Sequence, residues 1–204
     1  FRAEVEVPVW TSLLYVSDWT EPASTQVTLD VQEEGGAIGV TMRNALPHAL
    51  SSVHLAFRGQ IYELGSLDAG ETKTAQVRLS TGQALEQYVR RFGQGFSGAA
   101  AARRQAFGST AQGRIEANPN TLIAATFVSQ LGLYQGQQRA FIYPPGFELS
   151  PLIARGDAVL LAWDAGHSPT ASSMLKHKPP RRAQSTLYRV AVPVSGRAQV
   201  APVP

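Results

Sequence analysis

A chain of 204 residues that is 44% hydrophobic and 16% charged can bury a core without covalent staples. With no cysteine it is excluded from thiol catalysis, iron–sulfur ligation, Cys-based zinc fingers and disulfide scaffolds. The formal net charge of +3 rests on 15 Arg and 3 Lys in separated pairs (Arg90-Arg91, Arg103-Arg104, Arg181-Arg182) rather than a stripe with interleaved aromatics, so no nucleic-acid partner is expected.

Residues 3–9 alternate polar and apolar with period two and predict a strand that Pro8 confines to an edge. Leu13 to Val16 could extend it. The clearest stretch follows. Val27, Leu29 and Val31 share one face, Gly35-Gly36 supplies a turn, and Ile38, Val40 and Met42 return on a second strand. Val53, Leu55 and Phe57 give a third, with Ser52, His54 and Ala56 on the outward phase, which makes His54 a surface residue. Residues 61–64 and 73–79 complete five short strands at about ten-residue spacing, the mark of an antiparallel sandwich.

Helical character then takes over. Leu85, Val89, Phe92 and Phe96 form an apolar stripe from Thr81 or Gly82 onward, broken near Gly95–Gly98, with a second short helix over 99–107. Asn118, Pro119 and Gly132 bracket a third helix over 119–131 as N-cap, first turn and stop, a better reading than the strand that β-branched Thr121, Ile123, Thr126 and Val128 also permit. The chain returns to β at 139–143, at the continuously apolar run 158–163 that suits a strand buried on both faces, and at 186–194. The two proline-ended terminal strands are expected to share a sheet. No apolar run approaches the about 18 residues of a membrane span. Phe1 as first residue and the Pro-punctuated stretch 195–204 lead to the expectation of a soluble piece of a longer chain with a linker-like tail.

Several motifs invite chemistry. Gly93-Gln94-Gly95-Phe96-Ser97-Gly98 matches G-x-G-x-x-G, but helical residues rather than a buried strand precede it, so a loop is the better reading than a dinucleotide site. Ser97 also sits in a near-match to a nucleophile elbow, and Asp157 or Asp164 followed by His167 or His177 would complete a hydrolase order. No histidine stands at i, i+2 on a strand or i, i+4 on a helix from a second ligand, so neither a metal site nor a cofactor is expected. Asp164 and His167 flank Gly166, where a turn role is the default. Arg155-Gly156-Asp157 reads as a turn into the strand after it. Lys176, Lys178, Arg181 and Arg182, with His177 among them, form a basic loop that would attract anionic groups at low salt.

The stretch Gly39-Val40-Thr41-Met42-Arg43-Asn44, then Leu50 to Phe57, then Ile61-Tyr62-Glu63-Leu64-Gly65-Ser66-Leu67-Asp68-Ala69-Gly70-Glu71-Thr72, resembles immunoglobulin-like or fibronectin-like modules of bacterial cell-envelope proteins. The resemblance covers about residues 37–79 and implies a module outside the cytoplasmic membrane, attached to membrane-spanning segments. The helical insert 82–131 and the strands after it depart from a simple repeat.

The expectation is therefore a mainly β, α+β chain: one elaborated domain over 1–194, with an antiparallel immunoglobulin-like β-sandwich core at 24–80, a helical insertion at 82–131 and returning C-terminal strands at 139–194. Its expected role is a non-catalytic, extracytoplasmic interaction, scaffold or ligand-binding domain whose partner is another protein or a cell-envelope component. The alternatives are a serine hydrolase using Ser97, or a polyanion binder through residues 176–182. The sequence leaves the ligand and the oligomeric state open.

Overall fold

Alternation and turn chemistry write the first hairpin. Along β1 (Val27–Glu34) the side chains of Val27, Leu29 and Val31 are buried and those between them exposed; along β2 (Ala37–Asn44) Ile38, Val40, Met42 and Asn44 are buried. Gly35 and Gly36 join them with φ of 56° and 81°, the positive pair that a two-residue turn matched to strand twist requires. A computed structural model describes residues 26–93, 118–131, 146–167 and 185–195, which are mainly β with a few short helices.

Two antiparallel sheets result. In one, β2 lies between β1 and β5 (Thr72–Arg78). The other has the order β6-β4-β3-β7-β8, with β3 at Leu50–Phe57, β4 at Gln60–Leu67, β6 at Gln83–Ala84, β7 at Ala158–Ala165 and β8 at Ser185–Val192. The facing sides share one core, to which the first sheet gives Val31, Ile38, Val40 and Met42 and the second Leu55, Phe57, Leu67 and Leu160. Each such side chain contributes about 1.5–3 kcal/mol relative to exposure.

The second sheet carries another core on its far face. Ala56, Ile61, Val159 and Leu161 pack there under Leu85, Tyr88 and Val89 of α1 (residues 85–93), Ile123 and Ala124 of α2 (Pro119–Ala125), Phe127, and Ile153 of α3 (Ser150–Arg155). This third layer explains the uninterrupted apolar run in β7. It also corrects the surface assignment of His54: the outward phase of β3 is roofed by helix, and His54 is only 6% exposed, its Nδ1 2.8 Å from the Ser52 carbonyl.

The helical stripe begins at Leu85, not at Thr81 or Gly82, because Gln83–Ala84 first pair with Gln60 and Ile61. The helix expected over 119–131 is shorter. Asn118 caps it as expected, accepting from the Asn120 N–H at 3.0 Å, and Pro119 opens it. At Thr126 the hydroxyl donates to the Ile123 carbonyl at 2.7 Å, and the chain tightens into 3₁₀ geometry over Val128–Leu131. Helix α3 was not anticipated; Gly156 ends it at φ 90° and turns the chain into β7, as read from Arg155-Gly156-Asp157. The expected strands at 3–9, 13–16 and 139–143, the pairing of the terminal strands, the helix over 99–107 and all but Ser195 of the linker-like tail at 195–204 lie outside the described residues.

The sandwich is tied along both sides. Ser195 bridges to β1, its N–H donating to the Val31 carbonyl at 3.0 Å. On the other side Lys73 Nζ donates to the carbonyls of Leu64 and Ser66, both at 3.0 Å, and so caps an otherwise open strand edge.

Candidate functional site

One end of the sandwich gathers polar side chains. Asn44, the last residue of β2, is fully buried. Its carboxamide donates to the carbonyls of His48 (2.9 Å), Asp68 (3.0 Å) and Leu67 (3.3 Å) and accepts from the Leu46 N–H at 3.0 Å. This Asx turn folds the crossover between the sheets and fixes the backbone of His48. Asp164 arrives from β7 on the same face as Ala158, Leu160 and Ala162, so strand alternation aims its carboxylate into the end of the inter-sheet core, where it is 1% exposed. After Ala165, Gly166 takes φ 99° and returns His167 over the strand end, where Thr186 Oγ1 donates to its carbonyl at 2.9 Å.

The three side chains converge. His167 Nδ1 lies 2.8 Å from Asp164 Oδ1, and His48 Nε2 lies 2.5 Å from Asp164 Oδ2. The two imidazoles stack with centroids 4.0 Å apart and planes 10° from parallel. The Asp164–His167 contact has hydrogen-bond geometry. The Asp164–His48 contact does not, and among the described residues neither His48 Nε2 nor Asp164 Oδ2 has a hydrogen-bond partner. A carboxylate at this depth requires a compensating charge or a full set of donors. The possible ligand atoms of His48, Asp164 and His167 all lie within 4.8 Å of one another, a set of two imidazoles and one carboxylate that could hold a metal ion.

A second feature lies between the edges of the two sheets. A cleft of about 850 Å³ runs past β4, β5, α1 and the start of α2. An aromatic row lines it: His54 sits 5.7 Å from Tyr88, which sits 4.7 Å from Phe92. Arg91 stacks over Phe92 at 5.0 Å, and Arg78, Gln76 and Glu63 bring charge and hydrogen-bonding groups to the walls. Burial and the nearby Glu63 carboxylate push the Tyr88 hydroxyl well above the ordinary tyrosine range, so it stays a donor, 3.1 Å from Asn120 Oδ1.

Of the residues singled out from sequence, Asp164 and His167 are brought together and His48 joins them from the crossover between β2 and β3. Spacing gave no sign of this cluster. Ser97, His177 and the basic residues Lys176, Lys178, Arg181 and Arg182 lie outside the described residues. No helix among the described residues is long and apolar enough to cross a membrane.

A family model described as a domain of unknown function (DUF8725) matches residues 26–195. No curated protein and no solved structure matches the chain.

Proposed function

We propose that this chain, which belongs to the DUF8725 family, is an immunoglobulin-type module of a bacterial cell-envelope protein that binds an extended segment of another envelope protein. The strand pairing supports the fold reading. With the two-residue β6 set aside, the second long strand pairs with the fifth and the third with the sixth, as B pairs with E and C with F in immunoglobulin sandwiches. The resemblance of residues 37–79 to envelope modules supports the address.

The observation that carries the binding role is the cleft. Strand edges flank it, the aromatic row of His54, Tyr88 and Phe92 lines it, and Arg78 and Arg91 stand at its walls. Main-chain groups of an extended segment would meet polar walls there, its apolar side chains would meet ring faces, and an acidic residue would meet the guanidinium groups. Non-catalytic recognition needs no more than this.

The test places a photo-crosslinking residue at Gln76, exposed beside the cleft, or at Asp30, exposed on β1. In the native host, one discrete adduct should form from position 76 and none from position 30. A fusion to a phosphatase active only outside the cytoplasm should be active. Equal labelling at the two positions would overturn the cleft reading, and an inactive fusion would overturn the address.

A further inference from the structure

We propose that His48, Asp164 and His167 bind one divalent cation of the borderline first-row class, zinc by ligand preference, at the end of the sandwich. The proposal is independent of the cleft and of the binding role inferred from it. Its basis is the unmatched geometry around Asp164. One carboxylate oxygen accepts from His167; the other lies 2.5 Å from His48 Nε2, buried, with neither atom in hydrogen-bond alignment. The possible ligand atoms of His48, Asp164 and His167 lie within 4.8 Å of one another, and no aligned N–H joins His48 Nε2 to Asp164 Oδ2, so a cation between them would supply the missing partner. A cation entering there would neutralise the one carboxylate of the described residues that lies in the inter-sheet core.

Ligand chemistry selects the ion. Two neutral imidazoles and one carboxylate suit zinc and its neighbours far better than calcium or magnesium, which take all-oxygen sets. Zinc places nitrogen and oxygen donors about 2.0–2.2 Å from itself, so His48 Nε2 and Asp164 Oδ2 must spread apart to admit it. Two parallel rings cannot both direct a lone pair at one ion, so the His167 ring must also turn out of the stack. Its side chain is 56% exposed and follows Gly166, whereas that of His48 is 21% exposed and pinned through its carbonyl by Asn44. The fixed pair is therefore His48 and Asp164, with His167 as the ligand that closes. Three protein ligands leave a coordination position on the exposed His167 side for water or a group from outside.

The test uses the full chain, free of any affinity tag and stripped with chelator, titrated with Zn²⁺ by calorimetry and with Co²⁺ by visible absorption. One ion per chain should bind, with a cobalt d–d spectrum and a rise in Tm. Asp164→Asn, nearly isosteric, should abolish binding. His167→Ala, at an exposed position, should keep the fold and weaken binding by about tenfold or more, the least that loss of a metal-supporting group causes. His177→Ala controls for adventitious histidine binding and should leave the isotherm unchanged. Failure of the wild-type chain to take up one equivalent would overturn the proposal in favour of a purely hydrogen-bonded His–Asp–His cluster. Uptake that survives both Asp164→Asn and His167→Ala would overturn it as well.

Discussion

Asn44→Asp exchanges one NH₂ group for an oxygen of the same size and so isolates the polar joint at the end of the sandwich. In the native chain two amide protons serve three carbonyls at 2.9, 3.0 and 3.3 Å, while the amide oxygen accepts from Leu46. The aspartate keeps the last bond. It loses the two protons and sets a buried acceptor against three acceptors. Two lost hydrogen bonds at about 1 kcal/mol each, plus about 1–3 kcal/mol for a buried group left unsatisfied, predict a destabilisation near 4 kcal/mol at pH 7. That is a large share of the about 5–15 kcal/mol that holds a domain folded. Burial among carbonyls raises the folded-state pKa of the new carboxyl above its unfolded value, so the penalty is smallest below about pH 4 and grows as pH rises. Urea unfolding of the wild type, Asn44→Asp and Asn44→Ala at pH 7 and pH 4 measures this. Asn44→Ala removes the amide donor without opposing the carbonyls with charge, and should cost less than Asn44→Asp at pH 7. A wild-type-like midpoint for Asn44→Asp, or a loss that shrinks as pH rises, would refute the reasoning.

Gly82→Ala tests close packing: a Cβ there would lie 2.7 Å from Tyr62 Cε1 and 2.8 Å from Gln60 Cβ at an ordinary φ of −68°, so an overpacking loss of about 1–3 kcal/mol is expected in denaturant unfolding. The Tyr88 hydroxyl is held protonated above its ordinary range, whereas an unfolded tyrosine ionises near pH 10. Stability should therefore be intact below pH 10 and fall above it by up to about 1.4 kcal/mol per pH unit for this group, and Tyr88→Phe should flatten that alkaline limb; an equally steep limb in the variant would show that Tyr88 is not its source. Arg58 takes φ 48° in the β3–β4 turn while its guanidinium pairs with both Glu33 oxygens at 2.7 and 2.9 Å. Arg58→Gly relieves about 1 kcal/mol of left-handed strain while losing a bridge worth about 0.2–1 kcal/mol, so thermal melts should show it nearly neutral and Glu33→Ala the more harmful of the two.

What the sequence disclosed depended on whether the deciding contact was local. The β1–β2 hairpin is written in the phase of Val27, Leu29, Val31, Ile38, Val40 and Met42 and in Gly35-Gly36, all within one span of chain. Helix α2 carried its own start in Asn118-Pro119. Its early end did not show, because Thr126 looks like one more residue of the apolar face until its hydroxyl is seen to bond backward. His54 was placed on a surface because a strand read alone cannot reveal its roof. The clue lay elsewhere: β7 is apolar at every position from Ala158 to Trp163, β3 is its neighbour, and a sheet covered on both faces at one strand is covered at the next. The cluster was hidden for the same reason, since His48 and Asp164 meet only through the closing of two sheets. One signal was available even so. Continuing the inward phase of Ala158, Leu160 and Ala162 reaches Asp164, and an acid on the inward phase of a buried strand must find a partner.

The two ends of the sandwich divide the work. At the end holding Gly35-Gly36 and Arg58-Gly59, hairpins close in two residues. At the other end the chain crosses between sheets after β2 and again after β4, and the crossovers bring the carbonyls of His48, Leu67 and Asp68 around one point, the last also accepting from the Glu71 N–H at 3.1 Å. A buried donor must be supplied there, and Asn44 supplies it. Once that residue fixes the crossover, the position of His48 is determined, and with it a ring beside the last inward residue of β7. An apolar residue in place of Asp164 would continue the face of Ala158, Leu160 and Ala162 but would leave the His48 and His167 nitrogens without the carboxylate they face. The carboxylate therefore answers to the two imidazoles rather than to apolar packing, and the three side chains stand or fall together.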